Sequence, residues 1–228
     1  MFVLAVISTK GGSGKSTLSV CLASAAASAG YTAVIVDLDP QASASKWRDR
    51  RTGDNPNPAV VCTQASRLKP VLDVARANAA DFVVIDGAGR MDDSALAAAR
   101  CADMVLVPTR TSIFEVETMP TVIDVLRIAG VLDRSYAVLN GLHPSMGAAG
   151  ITEAQRFIEQ RYGLRSCPAY LCQRAAYSDT MLTGTTPQES DPDGKAGQEL
   201  GRLLEFVTEQ AKLRTGGLAK SRTINLVA

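Results

Sequence analysis

Short apolar runs recur along the chain, each followed by a polar or glycine-bearing turn and then by a stretch with apolar residues at helical spacing. The runs are Phe2 to Ile7, Tyr31 to Val36, Val60 to Cys62, Phe82 to Ile85, Met104 to Val107, Tyr136 to Leu139 and Pro168 to Leu171. Apolar on successive positions rather than alternate ones, they suit strands buried on both faces of a parallel sheet. The intervening helical stretches are Thr17 to Ser28 with Gly30 as its stop, Gln41 to Arg51, Leu68 to Asn78, Asp92 to Ala99, Glu115 to Ile128, Ile151 to Arg161 and Ala196 to Leu213. Pro120 fits a first helical turn better than an interior, which moves the start of the Glu115 helix toward Met119.

Strands alternating with helices predict an α/β fold: a mostly parallel twisted sheet, helices on both faces, right-handed crossovers, and a ligand at the carboxyl ends of the strands. The stretches 53–58, 143–150 and 184–194 carry the Pro, Gly and Asp clusters of surface loops. The chain of 228 residues suits one domain, residues 1–214, with a flexible basic tail over 215–228 after the paired glycines Gly216 and Gly217.

The first turn carries chemistry. Strand Phe2–Ile7 runs into Lys10-Gly-Gly-Ser-Gly-Lys15-Ser16-Thr17 and then a helix. Gly11, Gly12 and Gly14 let the main chain wrap a phosphate chain, with Ser13 between them, and the charge then faces free N–H groups and the positive end of the helix. Lys15 is placed to neutralise β- and γ-phosphates, and the Ser16 hydroxyl to ligate the Mg²⁺ that bridges them. Asp86 ends the run Phe-Val-Val-Ile, where a phosphate-loop ATPase holds a carboxylate near the metal. Asp37 and Asp39 leave the second strand two residues apart.

Charge and cysteines narrow the setting. With 24 basic and 23 acidic side chains the formal charge is +1, so any nucleic-acid surface must be local. The five cysteines are scattered and odd in number, which reads as buried apolar thiols in a reduced cytoplasmic interior. The lone His143 sits in a turn-like setting, which excludes a histidine metal cluster and points to a surface loop. No apolar run is long enough to span a membrane, and the tail lacks an amphipathic stripe.

The run Lys10-Gly-Gly-Ser-Gly-Lys15-Ser-Thr resembles the ParA/MinD class of deviant Walker-A phosphate-loop ATPases. Val36-Asp37-Leu-Asp39-Pro40-Gln41, Val84-Ile-Asp86-Gly-Ala-Gly89 and Arg174-Ala-Ala-Tyr177 leading to Gly184 and Glu189 are similar to its small ParF-like plasmid-partition branch. The stretch after Asp86 lacks the proline common in the wider class, a departure that branch shares. The resemblance implies ATP and Mg²⁺ as ligands and a switch-type hydrolysis in which Lys10, Lys15 and Asp39 act, Asp39 orienting water. It groups Asp37, Asp39 and Asp86 with Ser16 on the metal side, and sends Lys10 across an ATP-dependent homodimer to the partner's nucleotide. It places Asn140 against adenine and gives the dimer non-specific DNA binding through basic residues near the C-terminal helices. The candidates for that surface are Arg174, Lys195, Arg202, Lys212, Arg214, Lys220 and Arg222. It further implies a small centromere-binding partner that stimulates hydrolysis, and a cytoplasmic, nucleoid-associated protein without membrane attachment. Two alternatives share these residues: positioning of a cargo other than a plasmid, and a metabolic ATP-dependent ligase on the same fold, against which Lys10 and Asp39-Pro40-Gln41 argue.

Overall fold

The structure, a computed structural model, describes residues 1–9, 11–52, 56–89, 92–111 and 118–215. Strands β1 (Phe2–Val6), β2 (Ala33–Asp37), β3 (Ala59–Cys62), β4 (Phe82–Asp86), β5 (Met104–Thr109), β6 (Ser135–Leu142), β7 (Arg165–Ser166) and β8 (Leu171–Cys172) form one sheet. Its order is β3-β2-β4-β1-β5-β6-β7, with β8 pairing β6 beyond β7. Every pairing is parallel. The expected fold class is therefore the observed one.

Helices α1 (Lys15–Ser28), α2 (Ser43–Asp49), α3 (Leu68–Ala77), α4 (Asp93–Cys101), α5 (Met119–Ala129), α6 (Ala148–Tyr162), α7 (Ala175–Thr183), α8 (Pro187–Ser190) and α9 (Lys195–Thr215) flank it. Because side chains alternate across a strand, β1 feeds both layers. Val3, Ala5 and Ile7 pack in one core with Leu72 of α3, Ala98 of α4, Ile123 of α5 and Ile158 of α6. Phe2, Leu4 and Val6 pack in the other with α1, with Trp47 of α2, and with Leu200, Leu203 and Val207 of α9. Helix α1 is buried along most of its length, from Leu18 to Ala26, which explains why its sequence shows no polar face.

Several expectations need correction. The helix after Pro40 is shorter than Gln41–Arg51, because Ala42 takes a left-handed conformation (φ 50°) that delays the start to Ser43. The last strand lies at Leu171–Cys172 rather than over 168–171, and a further short strand pairs Arg165–Ser166 with β6. Helix α7 was not expected at all: Tyr177, Thr180 and Met181 give it too weak an apolar stripe to stand out. The supposed loop at 184–194 contains α8, built by Pro187 and a capping box between Thr186 and Glu189. Cys21, Cys167 and Cys172 are buried, but Cys62 is exposed on edge strand β3 and Cys101 is only partly covered. The start of the Glu115 stretch and the tail from 216 lie outside the described residues, and α5 begins at Met119 with Pro120 in its first turn.

Candidate nucleotide site

The glycine turn links the end of β1 to α1 at the carboxyl edge of the sheet. Gly12 and Gly14 hold φ values of 82° and 90°, a left-handed backbone that costs a residue with a Cβ roughly 1–2 kcal/mol. The Gly14 carbonyl accepts the first helical bond, from Leu18 N at 2.8 Å. Lys15 is buried, and its Nζ lies 3.2 Å from Ser8 Oγ, which in turn lies 2.7 Å from Ser13 Oγ. The turn thus folds around its own lysine. The exit of β4 presses against the same turn: a Cβ on Gly87 would meet the Val6 carbonyl oxygen at 2.9 Å, and one on Gly89 the Gly11 nitrogen at 3.2 Å. The approach excludes a side chain at Gly87 and leaves it a tight fit at Gly89. Lys10 lies outside the described residues.

Beside the turn stand the acids. Asp37 and Asp86 are register partners on β2 and β4, and both are buried. Asp86 Oδ1 accepts a hydrogen bond from Ser19 Oγ at 3.1 Å, while its Oδ2 is buried with no hydrogen-bond partner among the described residues. Burial, then the neighbouring Asp37 charge, push the Asp86 carboxyl up to about 7, against the pull of Ser16, Ser19 and Lys15. Asp37 is also raised, chiefly by burial, but both its oxygens hold backbone N–H groups, Asp39 N and Ala44 N, each at 3.0 Å. It therefore secures the N-terminus of α2, a role the sequence did not suggest.

Asp39 is half-buried and accepts from Gln41 N at 2.9 Å. It lines a cavity of about 510 Å³ together with Gly11, Gly12, Lys15 and Ser16. A second cavity, about 190 Å³, lies on the other side of Gly14 and Thr17, which border both. Asn140, near the carboxyl end of strand β6, lines this second cavity and donates from Nδ2 to the Ser13 carbonyl at 2.8 Å. The structure thus gathers Gly11 to Thr17, Asp37, Asp39, Asp86 and Asn140 at one sheet edge.

Residues 4–212 match the model of the CobQ/CobB/MinD/ParA nucleotide-binding domain. The chain belongs to the CobQ/CobB/MinD/ParA family. Within that family it is similar to a maintenance of carboxysome distribution protein A from Gloeobacter kilaueensis, 33% identical over 80% of this chain and 82% of the relative. A second protein of that name, from Halothiobacillus neapolitanus, is 25% identical over 90% of this chain and 96% of its own length. In fold it resembles the septum site-determining protein MinD of Pyrococcus horikoshii complexed with Mg-ADP, at TM-score 0.73 and 18% identity, covering 93% of this chain and 98% of the other. The family model is that of a nucleotide-binding domain, and the fold is that of the ParA/MinD class.

The basic residues scatter more than the family resemblance suggested. Arg174 is not a free surface charge, because Nη2 and Nε bond Glu199 Oε1 at 2.6 and 3.0 Å, and Glu199 is buried. Arg202 is exposed but shares a groove with Glu205 and Glu209, so that stretch of α9 is not positive. Lys195 is exposed at the start of α9, with Lys212 and Arg214 at its end. Arg214 donates to the Asp133 carbonyl at 3.2 Å, which also accepts from Arg165 Nη2. Lys220 and Arg222 lie outside the described residues.

Among residues the sequence reading passed over, Ser19 was detectable: it stands one helical turn after Lys15, on the same face. Arg165 and Glu199 carried no such signal, since their partners are 32 and 25 residues away.

Proposed function

We propose that this chain is an ATP-hydrolysing positioning switch: ATP closes two copies face to face, the dimer holds DNA without sequence preference, and a partner on the cargo stimulates hydrolysis and release. The observation that supports it most is the meeting of the glycine turn with Asp39 around one cavity, with the buried Asp86 at the end of β4 behind the turn. Triphosphate lies along Gly11 to Thr17 against Lys15, the base enters the 190 Å³ cavity beside Asn140, and Asp39 orients the attacking water. Lys10 adds positive charge to the partner copy's phosphates.

Magnesium fits the donor set, since a buried carboxylate oxygen of Asp86 without a partner, next to Ser16, is the environment a hard cation relieves. Asp86 would hold it through water and Ser16 directly, with Asp37 and Asp39 alongside. Bound there, it neutralises charge on the β- and γ-phosphates. For the cargo, both named relatives are maintenance of carboxysome distribution proteins, which favours a large protein assembly over the plasmid and its centromere-binding partner. No helix among the described residues is long and apolar enough to cross a membrane.

Size-exclusion chromatography and DNA retention, measured with ATP, ADP and no nucleotide, test the proposal. Dimers and retained duplex are expected with ATP alone. A protein that turns over ATP while staying monomeric and DNA-free would be a ligase-type enzyme instead.

A further inference from the structure

The wall of the 190 Å³ cavity opposite the glycine turn is made by the segment from Leu171 to Ser178, which leaves β8 and enters α7. Three members of that wall converge on one carboxylate. Glu199, on the first turns of α9 and 2% exposed, accepts from Cys172 N at 3.1 Å, from the Arg174 guanidinium at 2.6 and 3.0 Å, and from the Tyr177 hydroxyl at 3.1 Å. Cys172, Arg174 and Tyr177 all face the cavity, whereas Glu199 stands behind them. The Tyr177 hydroxyl also lies 3.1 Å from the Ala196 carbonyl, so its one proton is shared between two acceptors on α9.

A carboxylate that satisfies a backbone N–H, a guanidinium fork and a phenol at once fixes all three relative to one another. Arg174 in particular would otherwise carry its charge unpaired at the cavity rim. Besides that anchor, the corner is held against β6 at its start, by the pairing of Leu171 and Cys172 with Asn140 and Leu142 and by the backbone bond from Gln173 N to the Leu142 carbonyl at 2.7 Å.

We propose that Glu199 is a positioning residue for the nucleotide base: by clamping Cys172, Arg174 and Tyr177 into one wall, it sets how tightly the base is held while leaving the phosphate turn unaffected. The inference rests on the reading that the base occupies this cavity. Glu199 touches neither Lys15 nor the acids of the phosphate side, so its effect belongs to binding and not to the chemical step.

The test compares ATP with inorganic tripolyphosphate, which offers the turn its phosphates and the cavity nothing. Equilibrium binding and steady-state turnover are measured on wild type, Glu199→Gln and Tyr177→Phe. For Glu199→Gln, loss of a charge-assisted bond predicts an ATP Kd raised about tenfold, with tripolyphosphate within about twofold of wild type. KM should rise with it and kcat hold within about twofold. Tyr177→Phe, which removes only an oxygen, should move ATP in the same direction by about threefold and carries the test by itself if the first variant does not fold. Variants that keep the wild-type preference for ATP over tripolyphosphate overturn the inference. So do variants that lose both ligands equally, which would make Glu199 a fold-stabilising ion pair and no more. A wild type that binds tripolyphosphate as tightly as ATP removes the base-cavity reading, and the inference falls with it.

Discussion

Asp37 and Asp86 face each other across β2 and β4 as register partners, yet only Asp37 has both oxygens occupied by backbone N–H groups. Two buried carboxylates side by side cannot both carry charge cheaply, and the less satisfied one yields. That one is Asp86, at about 7.

The sign of the resulting pH dependence follows. A folded pKa above the ordinary carboxylate value means that the folded state binds more protons than the unfolded one between about 4 and about 7, so stability of the nucleotide-free protein falls as pH rises through that window. Asp86→Asn should therefore be more stable than wild type at pH 8, by on the order of a few kcal/mol, and so melt higher there, and match it near pH 4. Mg-ADP should reverse the order, because the cation rewards the wild-type carboxylate, and chelation should restore it. Thermal melts in EDTA and in Mg-ADP across pH 4 to 8 measure both; a pH-independent difference would mean that Asp86 does not titrate in the folded chain.

Asp39 is the acid on the open side, half-buried and lining the phosphate cavity, its carboxylate accepting from Gln41 N. Asp39→Ala should keep ATP binding and ATP-dependent dimerisation while kcat drops on the order of 100-fold. Single-turnover hydrolysis against nucleotide affinity separates the two; normal turnover would take Asp39 out of the reaction.

Gly14 meets two constraints at once. Its φ is 90°, and a Cβ there would lie 2.4 Å from Asn140 Nδ2, the atom that donates to the Ser13 carbonyl. Gly14→Ala should cost roughly 1–2 kcal/mol from backbone strain alone and further weaken nucleotide binding by evicting Asn140. Adding Asn140→Ala relieves the clash but not the strain, so the double variant should regain only part of the lost stability in denaturant titrations. Full recovery would show that the side-chain clash, and not the backbone, is what excludes alanine.

The sequence disclosed most of the fold, and it disclosed the phosphate side of the site best. Both were legible because the signal was local: buried parallel strands are uniformly apolar, and Gly11 to Ser16 carry their chemistry within one turn. What stayed hidden is non-local. Helix α7 has no strong apolar stripe of its own and is held by Tyr177 and by Arg50, which donates to the Met181 carbonyl at 2.9 Å from 131 residues away. Arg174 reads as a free base until Glu199 appears behind it. That Asp37 also holds Ala44 N, across a turn in which Ala42 is left-handed, has no signal in the sequence.

On the proposed function, the exposed end of α9 is where DNA is expected to bind. Lys212 and Arg214 are exposed, and Arg165 reaches the same Asp133 carbonyl as Arg214 from β7. Lys212→Glu, Arg214→Glu and Arg165→Glu together should abolish duplex retention and leave basal turnover within about twofold. The single Lys212→Ala should lower the salt slope of binding by about one. Arg174→Gln, by contrast, should act on nucleotide affinity and not on the salt slope. Retention unchanged in the triple variant would move the DNA surface elsewhere on the chain.

Gly184 and Arg51 close the region between α2 and α8. A Cβ on Gly184 would lie 2.6 to 2.9 Å from the backbone of Arg50 and Arg51, and its φ is 74°. Neither the steric nor the conformational obstacle can relax by moving a side chain, so Gly184→Ala should cost about 3 kcal/mol or more. Arg51 lies over the Trp47 ring at 4.7 Å and forks onto Glu189 at 2.7 and 3.2 Å, with its side chain only 10% exposed. Arg51→Lys keeps the charge but loses the fork, and should cost about 1–2 kcal/mol. Because Gly184 and Arg51 hold one contact, the double variant should lose less than the sum, a coupling that a double-mutant cycle in urea reads directly. Strict additivity would mean that the backbone approach at Gly184 survives without the Arg51 clamp, and that α2 is fixed by Trp47 and Asp37 alone.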